Sequence, residues 1–266
     1  MRITVLGCGT SGGVPALGCD CEVCRSTDPR NNRTRASVYV AKGDARLLVD
    51  CGPDFRQQAL RENIRRVDGL FITHIHADHI HGIDDLRAIN WLQRKPIPVF
   101  STPETLASLG QIYDYCFNPP QRGGGVPKLE FVPVEGGRTF EFMGVSVTPI
   151  PAWHGKLEVL GFRFDDFVYL TDCSSIPESS RPLIEGVETL VLSALRPKPH
   201  ETHFSISEAV EESRRYRPRR TYLIHMTHDV DYAAISRSLP AGCELLYDGL
   251  QFEVSNHCGA DRRVQA

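Results

Sequence analysis

Residues 73–79 read THIHADH, and four of these side chains, His74, His76, Asp78 and His79, can each offer a lone pair to a metal ion. Imidazole and carboxylate together suit zinc, manganese or iron, and no thiolate is offered in this stretch. The preceding run GLFITH (69–74) is apolar and predicts a strand, whose period of two would aim His74 and His76 to one side. The chain is then expected to turn into a helix whose first residues, Asp78 and His79, face the same pocket. Three more polar residues end apolar runs: His154 after VTPIPAW, Asp172 after VYLT, and His225 after TYLI. Strand ends gathered round one cleft would bring these residues together, and the ligand count favours two metals over one.

Many elements must cooperate to place them. Short β-branched runs recur at 3–7, 36–42, 45–50, 69–74, 98–102, 145–151, 161–164, 167–172, 189–195, 220–225 and 244–249. Helical periodicity marks 53–63, 80–93, 103–115, 204–216 and 231–239. Ser205 and Glu208 spell a capping box that opens the fourth of these helices. Strands first in hairpins, then alternating with helices, predict sheets flanked by helices on their outer faces.

At 266 residues the chain can bury a large core. It is 41% hydrophobic and 24% charged, and no apolar run is long enough to span a bilayer. MRITVLGCGTSGG lacks the apolar core of a signal peptide, so a cytoplasmic location without a membrane partner is expected. Nine cysteines in a reducing compartment argue against a disulfide framework. A net charge of −3 argues against a polyanion binder. The basic run RRYRPRR (214–220) reads as a solvated helix end, with a phosphate-attracting rim as the competing reading. NPPQRGGGVP (118–127) reads as a surface loop, with a flap over the site as its competitor.

His-x-His-x-Asp-His resembles the signature of the metallo-β-lactamase superfamily, and His154, Asp172 and His225 follow in that family's order. The resemblance covers essentially the whole chain. It implies a four-layered αββα sandwich, one hydrolase domain over 1–266 with a zinc loop near 18–25 and a tail from about 256. It implies that His74, His76 and His154 hold one divalent metal, that Asp78, His79 and His225 hold the other, and that Asp172 bridges them. Zinc or manganese would fill both places. Asp50, in LLVDCG, matches an aspartate that orients a ligand histidine, a role with a physical reason: a ligating imidazole needs an acceptor on its other nitrogen.

GCDCEVC places Cys19, Cys21 and Cys24 within six positions, three thiolates without the fourth ligand of a closed zinc site. His228, three residues after His225, can supply it if the two histidines point to different metals. A Cys3His structural zinc would then tie an N-terminal loop to a C-terminal one; a redox pair of Cys21 and Cys24 is the alternative. The stretch GVPALGCDCEVC closely resembles the phosphodiesterases of the carbon–phosphorus lyase pathway, which carry such a site and hydrolyse cyclic phosphodiesters of ribose. The pyrroloquinoline quinone B branch shares the cysteines but departs from the motif that is intact here.

His203, in HETHFSISEA, aligns by this resemblance with a non-ligand histidine that assists the reaction, with His200 as the fallback. A position beside a helix N-terminus could let free N–H groups join it in holding a phosphate. His203 and Asp78 are thus the catalytic candidates. His81 is expected to pack or hydrogen-bond, and Cys173 to turn away from the metals. The expected reaction is hydrolysis of a small cyclic phosphodiester by a water shared between the two metals. The alternative is a thioester hydrolase of the glyoxalase II kind. No basic arm for a stable nucleic-acid partner is evident, and the sequence leaves a homodimer open.

Overall fold

The computed structural model describes residues 1–119 and 125–255. Half of the glycine-rich loop (120–124), the expected tail, His257 and Cys258 lie outside the described residues. The strands are β1 (Arg2–Gly7), β2 (Ser37–Lys42), β3 (Ala45–Val49), β4 (Gly69–Phe71), β5 (Ile97–Ser101), β6 (Leu129–Pro133) and β7 (Phe140–Phe142). They continue with β8 (Val145–His154), β9 (Leu157–Phe164), β10 (Phe167–Leu170), β11 (Thr189–Ser193), β12 (Arg220–Ile224), β13 (Cys243–Leu245) and β14 (Gln251–Glu253). Two sheets result, ordered β14-β1-β2-β3-β4-β5-β6 and β13-β12-β11-β10-β9-β8-β7.

Strand alternation explains the layers. In β3, Leu47 and Val49 join the core between the sheets, whereas Leu48 joins a second core with Phe55, Leu86, Ile89 and Leu106. Those last four lie on or beside the helices Phe55–Arg61, Leu86–Gln93 and Pro103–Ile112, which therefore cover the outer face of the first sheet. Helix Ile206–Tyr216 packs against β11 and β12 of the second sheet. The expected αββα sandwich is what forms. Among the described residues, no helix is long and apolar enough to cross a membrane.

An aromatic cluster joins the sheets. Phe71, fully buried at the end of β4, stacks on Phe100 at 4.7 Å and meets Phe162 and Phe164 edge-on at 5.4 and 5.1 Å. Each such pair adds about 0.5–1.5 kcal/mol beyond area burial.

Several expectations change in detail. β4 stops at Phe71, so His74 and His76 are not strand neighbours; the Thr73 N–H donates to the Asp50 carboxylate instead of continuing a ladder. Helix 80–93 is really Ala77–Ile80, a 3-10 turn at Ile83–Asp85, and Leu86–Gln93. The break falls at His81 and Gly82, where the chain passes so close to Gly52 that a Cβ on Gly82 would lie 2.0 Å from the Gly52 carbonyl oxygen. The edge strands β6, β7 and β14 lack a strong apolar alternation and are absent from the sequence reading. The strand expected at 244–249 shrinks to β13. The capping box forms as expected: Ser205 N–H donates to Glu208 at 2.8 Å, and Glu208 N–H to Ser205 Oγ at 3.3 Å.

Replacing Phe71 with alanine removes the hub of the aromatic cluster and should cost about 3–5 kcal/mol of stability. A urea unfolding curve checks this through a lower midpoint at unchanged slope.

Candidate metal centre

Three site residues sit where strands end in left-handed backbone: Asp50 (φ 59°) after β3, Asp172 (φ 48°) after β10, and His225 (φ 66°) directly after β12. Such conformations cost about 1–3 kcal/mol each when a non-glycine side chain adopts them. Here they turn polar side chains from the sheets toward one cleft. His154 is the last residue of β8, and Asp78 and His79 lie in the short helix after the motif loop. That helix approaches the β3 end closely: Cys51 N–H donates to the His79 carbonyl at 2.7 Å, and Gly82 N–H to that of Cys51 at 2.8 Å.

The seven candidates converge as two groups. Donor atoms of His74, His76 and His154 lie within 4.8 Å of one another, as do those of Asp78, His79, Asp172 and His225. Asp172 stands between them. Its Oδ1 is 3.1 Å from His225 Nε2, while its Oδ2 is 3.4 Å from His79 Nε2 and 3.9 Å from His74 Nε2. Asp78 Oδ2 lies 3.1 Å from His79 Nε2 and 3.5 Å from His225 Nε2.

The rings are aimed from behind. Asp50, fully buried, accepts from His79 Nδ1 at 2.7 Å and from Thr73 Oγ1 at 3.0 Å, while Thr73 Oγ1 lies 3.0 Å from His74 Nδ1. One carboxylate therefore orients two histidines, one directly and one through a hydroxyl. His154 Nδ1 donates to the Thr202 carbonyl at 2.7 Å. The sequence reading identified Asp50 but missed Thr73 and Thr202. Thr73 had a signal, its place inside the motif; a backbone carbonyl has none.

Electrostatics fit a cation. Burial disfavours charge on His79, yet Asp172 and Asp50 outweigh it and hold its pKa well above the usual value. Burial likewise opposes ionisation of Asp172, but His225 and His79 hold its carboxyl well below the usual range. Burial and then His79 push the pKa of His74 well below the histidine value. Buried His74 Nε2 and His79 Nε2 have no hydrogen-bond partner of good geometry, although both face the shared carboxylates. Orphaned buried nitrogens, carboxylates and imidazoles in one pocket are the donor set of a divalent metal site.

His203 joins this centre, not merely its neighbourhood. Its buried ring lies 4.4 Å from the ring of His154 and stacks on His225 at 4.9 Å. Burial first, then His225, lowers its pKa to about 3, and its Nδ1 has no partner. Of the helix N–H groups expected to join it in holding a phosphate, three already have acceptors. Ile206 N–H donates to the Arg196 carbonyl at 3.0 Å, and Ser205 and Glu208 close on each other in the capping box. His200, the fallback, is exposed and lies 5.3 Å from the His203 ring. His81 is exposed instead of packed, and Cys173 is buried in the core. A cleft of about 410 Å³ opens at Ile75, between His74 and His76, and at Leu157, the strand partner of His154.

The cysteine loop closes on a distant histidine. His228 Nδ1 lies 3.1 Å from Cys19 Sγ and 3.5 Å from both Cys21 Sγ and Cys24 Sγ. The Cys24 N–H donates to Cys21 Sγ, which is the leading cause of a Cys21 thiol pKa lowered to about 6. Burial pushes the neighbouring Cys24 thiol up to about 11, so the thiols do not all favour ionisation, and it is the convergence of four ligand atoms on one point that fits a tetrahedral metal.

The sequence profile described as "Beta-lactamase superfamily domain" matches residues 45–226. The chain belongs to the beta-lactamase superfamily. It is 40% identical to a solved "new diphosphatase from the PhnP family", with a TM-score of 0.87, covering 95% of this chain and 97% of that one. An octanoyltransferase of Porphyromonas gingivalis is 35% identical over 94% of this chain, which spans only 51% of that protein's length. Coenzyme PQQ synthesis protein B of Bradyrhizobium diazoefficiens is 27% identical, over 70% of this chain and 71% of that protein. With this fold, family and donor set, the chain is a metal-dependent hydrolase and a PhnP-like member of the superfamily.

Asp50→Ala should leave His79 and Thr73 without their acceptor. Metal affinity at the centre is expected to fall about 10–100-fold, read by competition against a chromophoric chelator.

Proposed function

We propose that this hydrolase is a dinuclear phosphodiesterase acting on small diesters, with cyclic ribose phosphates and 2′,3′-cyclic nucleotides as its substrate class. The observation that carries the reading is His203, a buried non-motif histidine pressed between His154 and His225 with a nitrogen left unpaired. A thioester substrate, whose leaving thiolate needs little protonation, gives such a group nothing to do.

In this reading His74, His76 and His154 hold one divalent metal, and Asp78, His79 and His225 hold the second. Asp172 is shared, as its two oxygens facing different histidines suggest. Zinc or manganese suits these ligands. Bound there, the metals supply Lewis acidity toward the phosphate and make water a nucleophile near neutral pH.

The protein's own groups do the rest. Asp50 and Thr73 keep the rings of His79 and His74 from turning. Asp78, lying against His79 and His225, is both ligand and catalytic group. The anionic phosphate, seated against His203, restores the proton that burial removes. His203 then hydrogen-bonds the phosphate and gives that proton to the departing alkoxide as the phosphorus–oxygen ester bond breaks, while the water, its own proton lost to solvent, bonds through oxygen to phosphorus. The substrate is a small molecule, and no nucleic-acid or membrane partner is part of the proposal. The Cys3His group holds a structural zinc.

A second reading, hydrolysis of an organic diphosphate, is favoured by the 40%-identical diphosphatase. It uses the same residues, with phosphate as the leaving group.

The test compares a 2′,3′-cyclic nucleotide, a nucleoside diphosphate sugar and S-lactoylglutathione on metal-loaded protein. The cyclic diester should turn over, and His203→Ala should lower kcat about 10²–10⁴-fold with metal content retained. Diphosphate turnover with the same loss would select the second reading. Thioester turnover indifferent to the substitution would move the protein to the glyoxalase II kind of activity.

A further inference from the structure

Among the described residues Arg33 is the largest fully buried side chain, 1% exposed, and none of their carboxylates lies within ion-pair distance of it. Burial lowers its pKa, and its Nε has no partner. Its hydrogen bonds go to neutral acceptors, with Asp248 and Asp231 favouring its charge only from beyond ion-pair distance, so the guanidinium is costly to bury and a methionine would fill the space more cheaply. Its hydrogen bonds show what it does there. Nη1 donates to the Thr227 carbonyl at 3.1 Å, and Nη2 to the Val230 carbonyl at 2.7 Å and to Asn31 Oδ1 at 3.0 Å.

Those carbonyls bracket His228, the histidine of the cysteine group, and Thr227 lies two residues from His225. The main chain between the two histidines is fixed at successive residues. Met226 N–H donates to the Cys8 carbonyl at 3.0 Å, the Met226 carbonyl accepts from Thr10 N–H at 3.1 Å, and Thr227 N–H donates to the Leu195 carbonyl at 2.9 Å. At its other end, the Arg33 backbone exchanges two hydrogen bonds with Val14, at 2.7 and 2.9 Å, at the root of the cysteine loop. Within that loop Ala16 N–H donates to Cys24 Sγ, and Cys19 N–H to the Ala16 carbonyl. Arg33 therefore holds the roots of both halves of the Cys3His group, and through one of them the segment that starts at His225.

We propose that Arg33 is a positioning residue that couples the Cys3His group to the His/Asp centre. Closure of the cysteines on His228 sets the register of residues 225–228, and the Arg33 guanidinium transmits that register to His225. The cysteine group is then more than a staple: its occupancy tunes the metal affinity of a centre formed by other residues. His225 departs from ordinary backbone geometry, so its ring position depends on the support of the residues after it. The proposal rests on the ligand role given to His225 above, and its readout is metal binding, which is independent of the substrate.

The test uses full-length Cys21→Ser, Arg33→Lys, Arg33→Met and the Cys21→Ser/Arg33→Met pair, each loaded with cobalt. Thiolate charge-transfer bands report the Cys3His group, and ligand-field bands report the His/Asp centre. Cys21→Ser, at an exposed position outside the centre, should weaken cobalt binding at the His/Asp centre about 10–100-fold and shift its ligand-field bands. Arg33→Met should do the same while keeping the thiolate bands, Arg33→Lys should restore part of the loss, and the double variant should lose little more than either single one. Unchanged affinity and bands at the centre in Cys21→Ser would overturn the proposal, as would losses that simply add. If Arg33→Met does not fold, Cys21→Ser and Arg33→Lys decide alone: coupling requires that both perturb the ligand-field bands. Loss of phosphodiester turnover in the unaltered protein would count against the proposed activity and leave the coupling result standing.

Discussion

The buried carboxylate of Asp50 is the constraint on which the centre depends. It has no exposure, and among the described residues its ion-pair partner is the His79 imidazole that it orients. Burial raises its pKa, and the hydrogen bonds from His79 and Thr73 work against that rise. By taking the Thr73 N–H, the same carboxylate ends β4 and releases the chain into the loop that carries His74 and His76. The interaction that orients the ligands thus also terminates the strand that delivers them.

The rest of the architecture supplies side chains to that point. A sandwich of two mixed sheets has strand ends along one edge, and residues there escape the ladder while staying close to the core. Asp50, Asp172 and His225 use this edge in the same way, each adopting a left-handed backbone that aims its side chain across the gap. Aromatic packing of Phe71 with Phe100, Phe162 and Phe164 holds the two sheets together just behind the motif loop. The local strain is sustained because the flanking strands are buried and paired on both sides.

A second cluster works at longer range. Cys19, Cys21 and Cys24 come from a loop with little regular structure, and His228 from a loop more than two hundred residues later. Thiols meeting a histidine, with a buried arginine at the roots of both loops, give this part of the molecule order that short strands alone would not. It also places the C-terminal ligand segment under the control of the N-terminal loop.

The sequence alone determined the metal-binding character, because ligand chemistry is a property of side-chain type and the THIHADH spacing packs four donors into six positions. It also determined the strands that carry His154, Asp172 and His225, since each ends a β-branched run, and the helix opened by Ser205 and Glu208. It placed His74 and His76 in one pocket, as they are, but misjudged where β4 ends, because a strand's end depends on where its N–H groups find acceptors, and Asp50 lies 23 residues from Thr73. Edge strands β6, β7 and β14 escaped for a related reason: pairing on one side leaves little burial to write into a pattern. Only the tertiary structure decided that Thr73 relays Asp50 to His74, that Thr202 orients His154 through a carbonyl, and that Arg33 lies under two loops. Those are relations between residues distant in the chain, set by packing and hydrogen bonding in three dimensions, and residue spacing carries no record of them.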